Sequence, residues 1–202
     1  MAAYTAIAEV SRTLLGVLRE DLTSRDDLVS LDAEHIALVD PQDVREDDQT
    51  RLSLSLYHLE ENASIKNSQP RHPTDPNVTE KSPLAIDLYY LVSAHAGGSE
   101  KSTAQRLEQQ RIFGLALQTF HDNAILSDDQ LTDGLKGDGP LTVSLVNQSL
   151  SEKTARRSAA PDTADLPSVL YHVRSAVIDS RHKEPVTHVT DRETSLSRHA
   201  ER

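Results

Sequence analysis

The chain contains no cysteine and no tryptophan, and its aromatic side chains are five tyrosines and two phenylalanines. The lack of cysteine excludes disulfides, thiolate nucleophiles and Cys-ligated zinc or iron–sulfur sites. So few aromatic residues argue against the stacking surfaces that hold single-stranded nucleic acid. No run of about 18 apolar residues occurs, so the sequence predicts no membrane span. Because Glu9 is acidic and no basic region precedes an apolar stretch, we expect no secretory signal and predict synthesis in the cytoplasm.

Acidic side chains dominate the charge of this 202-residue chain, a length that suits one domain with a substantial core. There are 32 Asp and Glu against 21 Lys and Arg, and the net charge of −11 repels phosphate backbones, so we expect no nucleic-acid partner. Asp (19) outnumbers Glu (13), and Arg (15) outnumbers Lys (6). We interpret this balance as halophilic, since excess carboxylates keep a protein hydrated where salt screens their repulsion. The alternative interpretation is an ordinary acidic protein.

Two long helices are predicted. Residues 2–22 form an amphipathic helix, because apolar residues recur there at spacings of three and four. A second helix begins after Gly97 and Gly98, is capped by Ser99 or Ser102, and runs to about residue 121, with a polar first half that faces water. The side chains it is expected to bury are Leu107, Ile112, Phe113, Ala116, Leu117 and Phe120. A short helix over residues 150–157 is also predicted, from a capping box at its start.

Alternation of apolar and polar residues predicts the strands. Residues 84–95 are apolar on both faces, which indicates a strand near the sheet centre, while 62–83 and 128–139 are predicted loops. The predicted extended segments are 28–31, 35–39, 51–59, 84–95, 141–146 and 169–178, with a short edge strand over 185–189. The expected fold is a single α/β domain over residues 1–181, with a mixed, largely antiparallel sheet of about four to six strands flanked by helices, and a C-terminal extension over 182–202.

No constellation of residues indicates chemistry. The nine histidines include no HExxH motif and no pair four apart on a predicted helix, so each is interpreted as a satisfied or surface side chain. Adjacent carboxylates such as Asp26 with Asp27 are placed in or near loops, where they do not face each other as a general acid and base must. The phosphate, dinucleotide and nucleophile-elbow motifs are absent from the sequence. We therefore name no catalytic, cofactor-binding or metal-ligating residue, and no cofactor.

Four segments, in order, resemble a known family. They are LSLSLYHLEEN at residues 52–62, PLAIDLYYLV at 83–92, the helix and loop over 105–126, and YHVRSAVID at 171–179. Together they are similar to the cap, or tail-terminator, proteins of phage-tail-like contractile injection systems. The resemblance covers roughly residues 4–181, with Pro-Leu-x-x-Asp-Leu-x-Tyr-Leu at its centre.

The resemblance implies a structural role and no enzyme activity. Family members form a ring, expected to be a hexamer, on the end of the inner tube and outer sheath distal to the baseplate. The implied partners are further copies of the chain, the inner tube protein and the sheath protein, in a particle assembled in the cytoplasm that can be released from the cell. Two alternatives stay open: a terminator or connector of a headed contractile-tailed phage, and a small hydrolase with an unrecognised motif.

Overall fold

A mixed sheet of six strands forms the centre of the chain, and two helices pack on one of its faces. The computed structural model describes residues 4–25, 31–45, 48–64, 78–97, 102–149, 151 and 166–185. Within them the helices are α1 (Ala6–Thr23) and α2 (Thr103–Asp122), and a 3-10 turn covers Ala33–His35. The strands are β1 (Ile36–Leu38), β2 (Leu52–Glu61), β3 (Val78–Glu80), β4 (Leu84–Ala94), β5 (Ile125–Leu126), β6 (Leu141–Leu145), β7 (Ser168–Ile178) and β8 (Lys183–Pro185).

The strand order of the main sheet is β1-β2-β4-β7-β6-β5. β1 runs parallel to β2, and every other neighbouring pair in the sheet is antiparallel. β3 and β8 form a separate two-stranded antiparallel sheet. This architecture confirms the expected single α/β domain with a mixed, largely antiparallel sheet and two long helices. β4 lies between β2 and β7, near the centre of the sheet, as its two partly apolar faces predicted.

Helix α1 forms the first half of the helical layer. Its buried apolar residues recur every three or four positions, which places them on one stripe that faces the sheet. Arg19 fastens its second half to β1, because Nε and Nη2 donate to the carbonyl of Ile36 at 3.1 and 2.8 Å. The predicted helix over residues 2–22 is confirmed within the described residues. The buried apolar residues are Ala6, Val10, Leu14, Val17, Leu18 and Leu22.

Helix α2 begins at a capping box. Ser102 Oγ accepts a hydrogen bond from the Gln105 amide at 3.3 Å, and Gln105 Oε1 accepts one from the Ser102 amide at 2.9 Å. The prediction that Leu107 is buried is wrong, since that side chain is 50% exposed. Gln109 occupies the buried stripe instead, 200° further round the helix at ~100° per residue, and its Nε2 donates to the carbonyl of Ala94 at 2.7 Å. The first half of α2 is therefore not wholly exposed to water.

A bulge interrupts the alternation of β2. Leu56 lies opposite Tyr90, whereas His58 lies opposite Tyr89, so Tyr57 is an extra residue in the strand. Beyond the bulge the faces exchange, and Leu59 lies on the same face as Leu56. The sequence pattern extends one uninterrupted alternation through Tyr57, and that prediction is wrong past Leu56.

The predicted loop over residues 128–139 is a series of turns that contributes to the core. Leu131 and Leu135 are buried and belong to the main hydrophobic cluster. β5, which the sequence pattern does not predict, precedes these turns and pairs with β6. The predicted loop over 62–83 is wrong at its end, where β3 pairs with β8. β8 covers 183–185 and overlaps the predicted edge strand over 185–189 only at Pro185, and the rest of that prediction lies outside the described residues.

Several predictions lie outside the described residues. Most of the extended piece at 28–31 and nearly all of the short helix at 150–157 fall there, as do residues 186–202 of the predicted C-terminal extension. The described start of that extension pairs with β3 through β8.

Candidate interaction surfaces

The described histidines are held apart by the fold. His95 follows β4, His121 lies in the last turn of α2, and Tyr89 separates His58 on β2 from His172 on β7. Among the residues that the structure describes, no group of three or more His, Cys, Asp or Glu could hold a metal ion. His188 and His199 lie outside the described residues.

His95 is a buried residue that links the start of β2 to the end of β4 through hydrogen bonds. Its Nε2 lies 2.8 Å from Ser53 Oγ, and its backbone amide donates to the carbonyl of Arg51 at 2.8 Å. Burial lowers the pKa of His95 to about 4, because desolvation disfavours the charged imidazolium. The ring is therefore neutral at pH 7, and its role here is to join two strands.

A buried carboxylate organises the sheet face opposite the helices. Asp87 is 6% exposed, and its Oδ1 accepts a hydrogen bond from Asn62 Nδ2 at 2.9 Å. His172 Nε2 lies 3.2 Å from Asp87 Oδ2, a distance for an ion pair without the alignment of a hydrogen bond. Arg174 Nε approaches the same oxygen at 3.9 Å. This cluster ties β4 to β7 and to the end of β2, which stiffens the part of the sheet next to its open edge.

Tyr89 joins the same three strands through its ring and its hydroxyl. The ring stacks on His172 with centroids 4.6 Å apart and an angle of 7° between the planes. The hydroxyl donates to Glu60 Oε1 at 2.6 Å. This bond and burial raise the pKa of Tyr89 to about 12. The phenol therefore stays protonated under physiological conditions and acts as a donor that holds β2 against β4.

Large apolar side chains are exposed at both edges of the sheet. On the β2 side, Leu56 and Leu59 are each 41% exposed, and β1 covers β2 only over residues 52–54. On the other side, Leu145 is 52% exposed, and the segment 124–126 that contains β5 covers β6 only over residues 141–143. Exposed strand edges of this kind pair with other chains unless they are blocked. The further exposed apolar residues at these edges are Leu38, Tyr57 and Ile125.

A shallow depression lies between α1 and the turns after β5. Glu9, Arg12, Leu131, Asp133 and Gly134 are among its lining residues. Hydrogen bonds from the Thr132 and Arg12 side chains lower the pKa of Glu9, and Arg12 also forms an ion pair with it. Because its carboxylate is already paired, this depression offers no general base and no free ligand set.

Sequence patterns alone mark no residue of these surfaces as functional. The β2 edge is marked by leucines and one tyrosine in a strand that extends past its neighbour β1, and the length of β1 is seen only in the fold. The Asp87 cluster is equally hidden, because a bulge on β7 opposite Asp87 decides which side chains meet there.

Two solved structures share this fold. One is the sheath/tube terminator, in its extended state, of PVC, an extracellular contractile injection system; the TM-score is 0.63 at 17% identity, over 96% of this chain and 64% of that chain. The other is the tube-terminating cap of the anti-feeding prophage, with a TM-score of 0.57 at 14% identity, over 93% of this chain and 60% of that chain. This chain thus spans less than two thirds of either structure. Its fold is that of tail-terminator and cap proteins.

The sequence itself identifies the family. The model of the Pvc16 N-terminal domain matches residues 9–192, which is most of the chain, and the chain belongs to that family. This confirms the resemblance to cap proteins of contractile injection systems, and the two matched structures are a terminator and a cap rather than enzymes. No curated protein sequence is similar to the chain. In the described residues no helix is both long enough and apolar enough to cross a membrane.

Proposed function

We propose that this chain caps a contractile injection particle, ending the inner tube and outer sheath at the end distal to the baseplate. The observation that carries the proposal is the likeness of nearly the whole chain to a sheath/tube terminator, together with membership of the Pvc16 N-terminal domain family. The open sheet edges support it, because a cap must contact further subunits. In this proposal six copies form a ring that contacts the tube protein and the sheath protein, in a particle that acts outside the producing cell.

Deletion of the gene tests the proposal. Without a terminator, tubes and sheaths are expected to vary in length and to lose their distal ends, and supplying the wild-type chain restores uniform particles. Electron cryomicroscopy of the restored particles is expected to show sixfold density of this chain at the distal end. Particles of normal length in the deletion strain, or a distal end built from a different protein, would contradict the proposal.

A connector of a headed phage is the alternative that this experiment also addresses. A connector has a capsid on its far side, whereas a cap has none. Purified particles that carry a capsid next to this chain would replace the cap by a connector while keeping its place at the tail end.

A further inference from the structure

Three rows of paired residues cross the strands β2, β4, β7 and β6 without interruption. Residues directly opposite each other in neighbouring strands share a face of the sheet, so each row has one orientation. The rows begin on β2 and end on β6, and only the first two reach β6 beyond Val143, whose amide donates to the Ala124 carbonyl at 2.8 Å. They are Leu56, Tyr90, Tyr171 and Leu145; His58, Tyr89, His172 and Ser144; and Leu59, Leu88, Val173 and Val143.

The two open edges therefore lie at the same level of one sheet. Leu56 and Leu145 are the two end residues of the first row, and both side chains are exposed. They lie on the same face of the sheet as Tyr90 and Tyr171, which the helices cover. Among the described residues, neither edge has an outer strand at this level, because the pairing of β1 with β2 ends at Leu54 and the segment 124–126 bonds to β6 only over residues 141–143.

The edges are also stepped in opposite senses. At the level of residues 53 and 54, β1 pairs with the outer side of β2. On the opposite side of the sheet, the same rows end at β7 within the described residues. The rows through residues 56–59 extend to β6 on that other side and have no β1. At each level, therefore, one edge has an additional strand where the opposite edge lacks one.

We propose that copies of this chain associate edge to edge, with the β2 edge (residues 56–60) of one copy against the β6 edge (residues 144–145) of the next. β2 and β6 run in opposite directions, since three successive antiparallel pairs separate them. A neighbouring copy in the same orientation therefore presents its β6 edge antiparallel to β2, the pairing already used inside the sheet. The stagger between copies sets whether Leu56 or Leu59 lies opposite Leu145.

A second copy fits these edges better than another occupant because one contact covers both apolar edges at once. The two edges belong to different strands, so the interface is head to tail, and such an interface closes into a ring when the rotation between copies allows it. This inference rests on the proposed ring-forming cap and names the surface through which the ring closes.

Disulfide trapping tests the proposal directly, because the chain has no cysteine of its own. We would prepare the full chain as the double variants Leu56→Cys with Leu145→Cys and Leu59→Cys with Leu145→Cys. Within one copy these positions are three strand spacings apart, roughly 14 Å, and a disulfide requires Cα atoms within about 7 Å. Any disulfide must then join two copies. Mild oxidation at high protein concentration is expected to give a ladder of covalent multimers for at least one double variant.

Single variants decide the geometry of the contact. In a head-to-tail contact, Leu56→Cys and Leu145→Cys alone give monomers after oxidation, and their equal mixture gives a heterodimer. A single variant that dimerises with itself would show a two-fold contact instead and overturn the proposal. So would the absence of any ladder, or an equal ladder from the control variant Leu107→Cys with Leu145→Cys, whose new cysteine lies on exposed α2.

Charge substitution gives a second readout. Leu145→Lys and Leu59→Lys are each expected to weaken self-association by about tenfold or more, since lysine on an edge strand opposes pairing. Leu107→Lys, an equally exposed leucine away from the edges, is expected to have no effect, and melting curves check that all three variants fold. Particles that are assembled with the double-cysteine chains and capped normally, but yield no trapped contact, would leave the proposed cap function standing and remove this interface.

Discussion

The hydroxyl groups of Ser11 and Tyr90 lie 2.7 Å apart at a buried point between α1 and β4. Ser11 Oγ also donates to the carbonyl of Ile7 at 3.1 Å, so Tyr90 is the donor of the shared bond and Ser11 its acceptor. Burial raises the pKa of Tyr90 to about 12, because the phenolate would lie away from water. This bond is a polar link between α1 and the central strand, and the assignment of its donor has a measurable consequence.

Ser11→Ala is expected to destabilise the protein more than Tyr90→Phe. The alanine leaves a buried phenol donor without a partner, at a cost of about 1–3 kcal/mol, whereas the phenylalanine leaves Ser11 bonded to Ile7 at a cost of roughly 1 kcal/mol or less. Urea unfolding of both variants measures the two free energies. Because alanine favours the helix over serine by about 0.5 kcal/mol, which offsets part of the loss in Ser11→Ala, a loss for Tyr90→Phe that is larger by more than this amount would show that the donor is assigned wrongly.

His95 is expected to make stability fall in mild acid. Its pKa is about 4 in the folded protein against 6.5 for the free side chain. Above pH 6.5 the side chain is neutral in both the folded and the unfolded state. As the pH falls below 6.5, the unfolded chain binds a proton at this histidine and the folded chain does not, so the free energy of unfolding falls by about 1.4 kcal/mol per pH unit. The difference in unfolding free energy between wild type and His95→Gln, followed from pH 7 to 4, isolates this group from the carboxylates. Parallel curves for the two proteins would contradict the prediction.

The regular elements could be predicted because their patterns are local. α1 repeats one spacing of apolar residues along its whole length, and that spacing alone fixes which face is buried, whereas β4 is apolar on both faces and is buried on both. The same local signal locates the ends of β7 to within a residue of the prediction. Order and direction of the strands follow from how such faces pack, so the fold class was within reach of the sequence.

The rest depended on contacts between distant residues. Gln109 is buried because the carbonyl of Ala94 needs a donor, and nothing near Gln109 in the chain reveals that carbonyl. The bulge at Tyr57 appears only when β2 is aligned on β4. The open edges are hidden for the same reason, since an edge is defined by where neighbouring strands stop.

Salt is expected to stabilise the protein if its acidic composition is halophilic. Raising KCl from about 0.1 M to 1 M shortens the Debye length from about 10 to 3 Å, which screens repulsion among surface carboxylates. The melting temperature should rise over this range, and the rise should be smaller for the charge-reduced variant Asp43→Asn with Asp129→Asn, in which both exposed carboxylates are neutral. A flat melting temperature, or an unchanged slope in the variant, would favour an ordinary acidic protein.

Removal of residues 186–202 is expected to separate folding from sheath capping. The segment follows β8, the last described strand, and its sequence has no apolar pattern able to form a core, so a partner is the expected source of any order. A cap must satisfy backbone groups left without partners in the last sheath layer, and strand addition by such a segment does so through main-chain hydrogen bonds. The truncated chain should keep the melting temperature of the wild type and its place on the tube.

The matched control replaces residues 186–202 by a Gly-Ser segment of equal length, which restores length without side chains to pair. Both altered chains should give particles whose sheath ends fray while the tube end stays covered, as seen by electron cryomicroscopy. A longer deletion, of residues 182–202, also removes β8 and leaves β3 without its partner, so it should lower the melting temperature as well. Intact sheath ends on particles of normal length, assembled with the chain that lacks 186–202, would show that the sheath contact lies elsewhere.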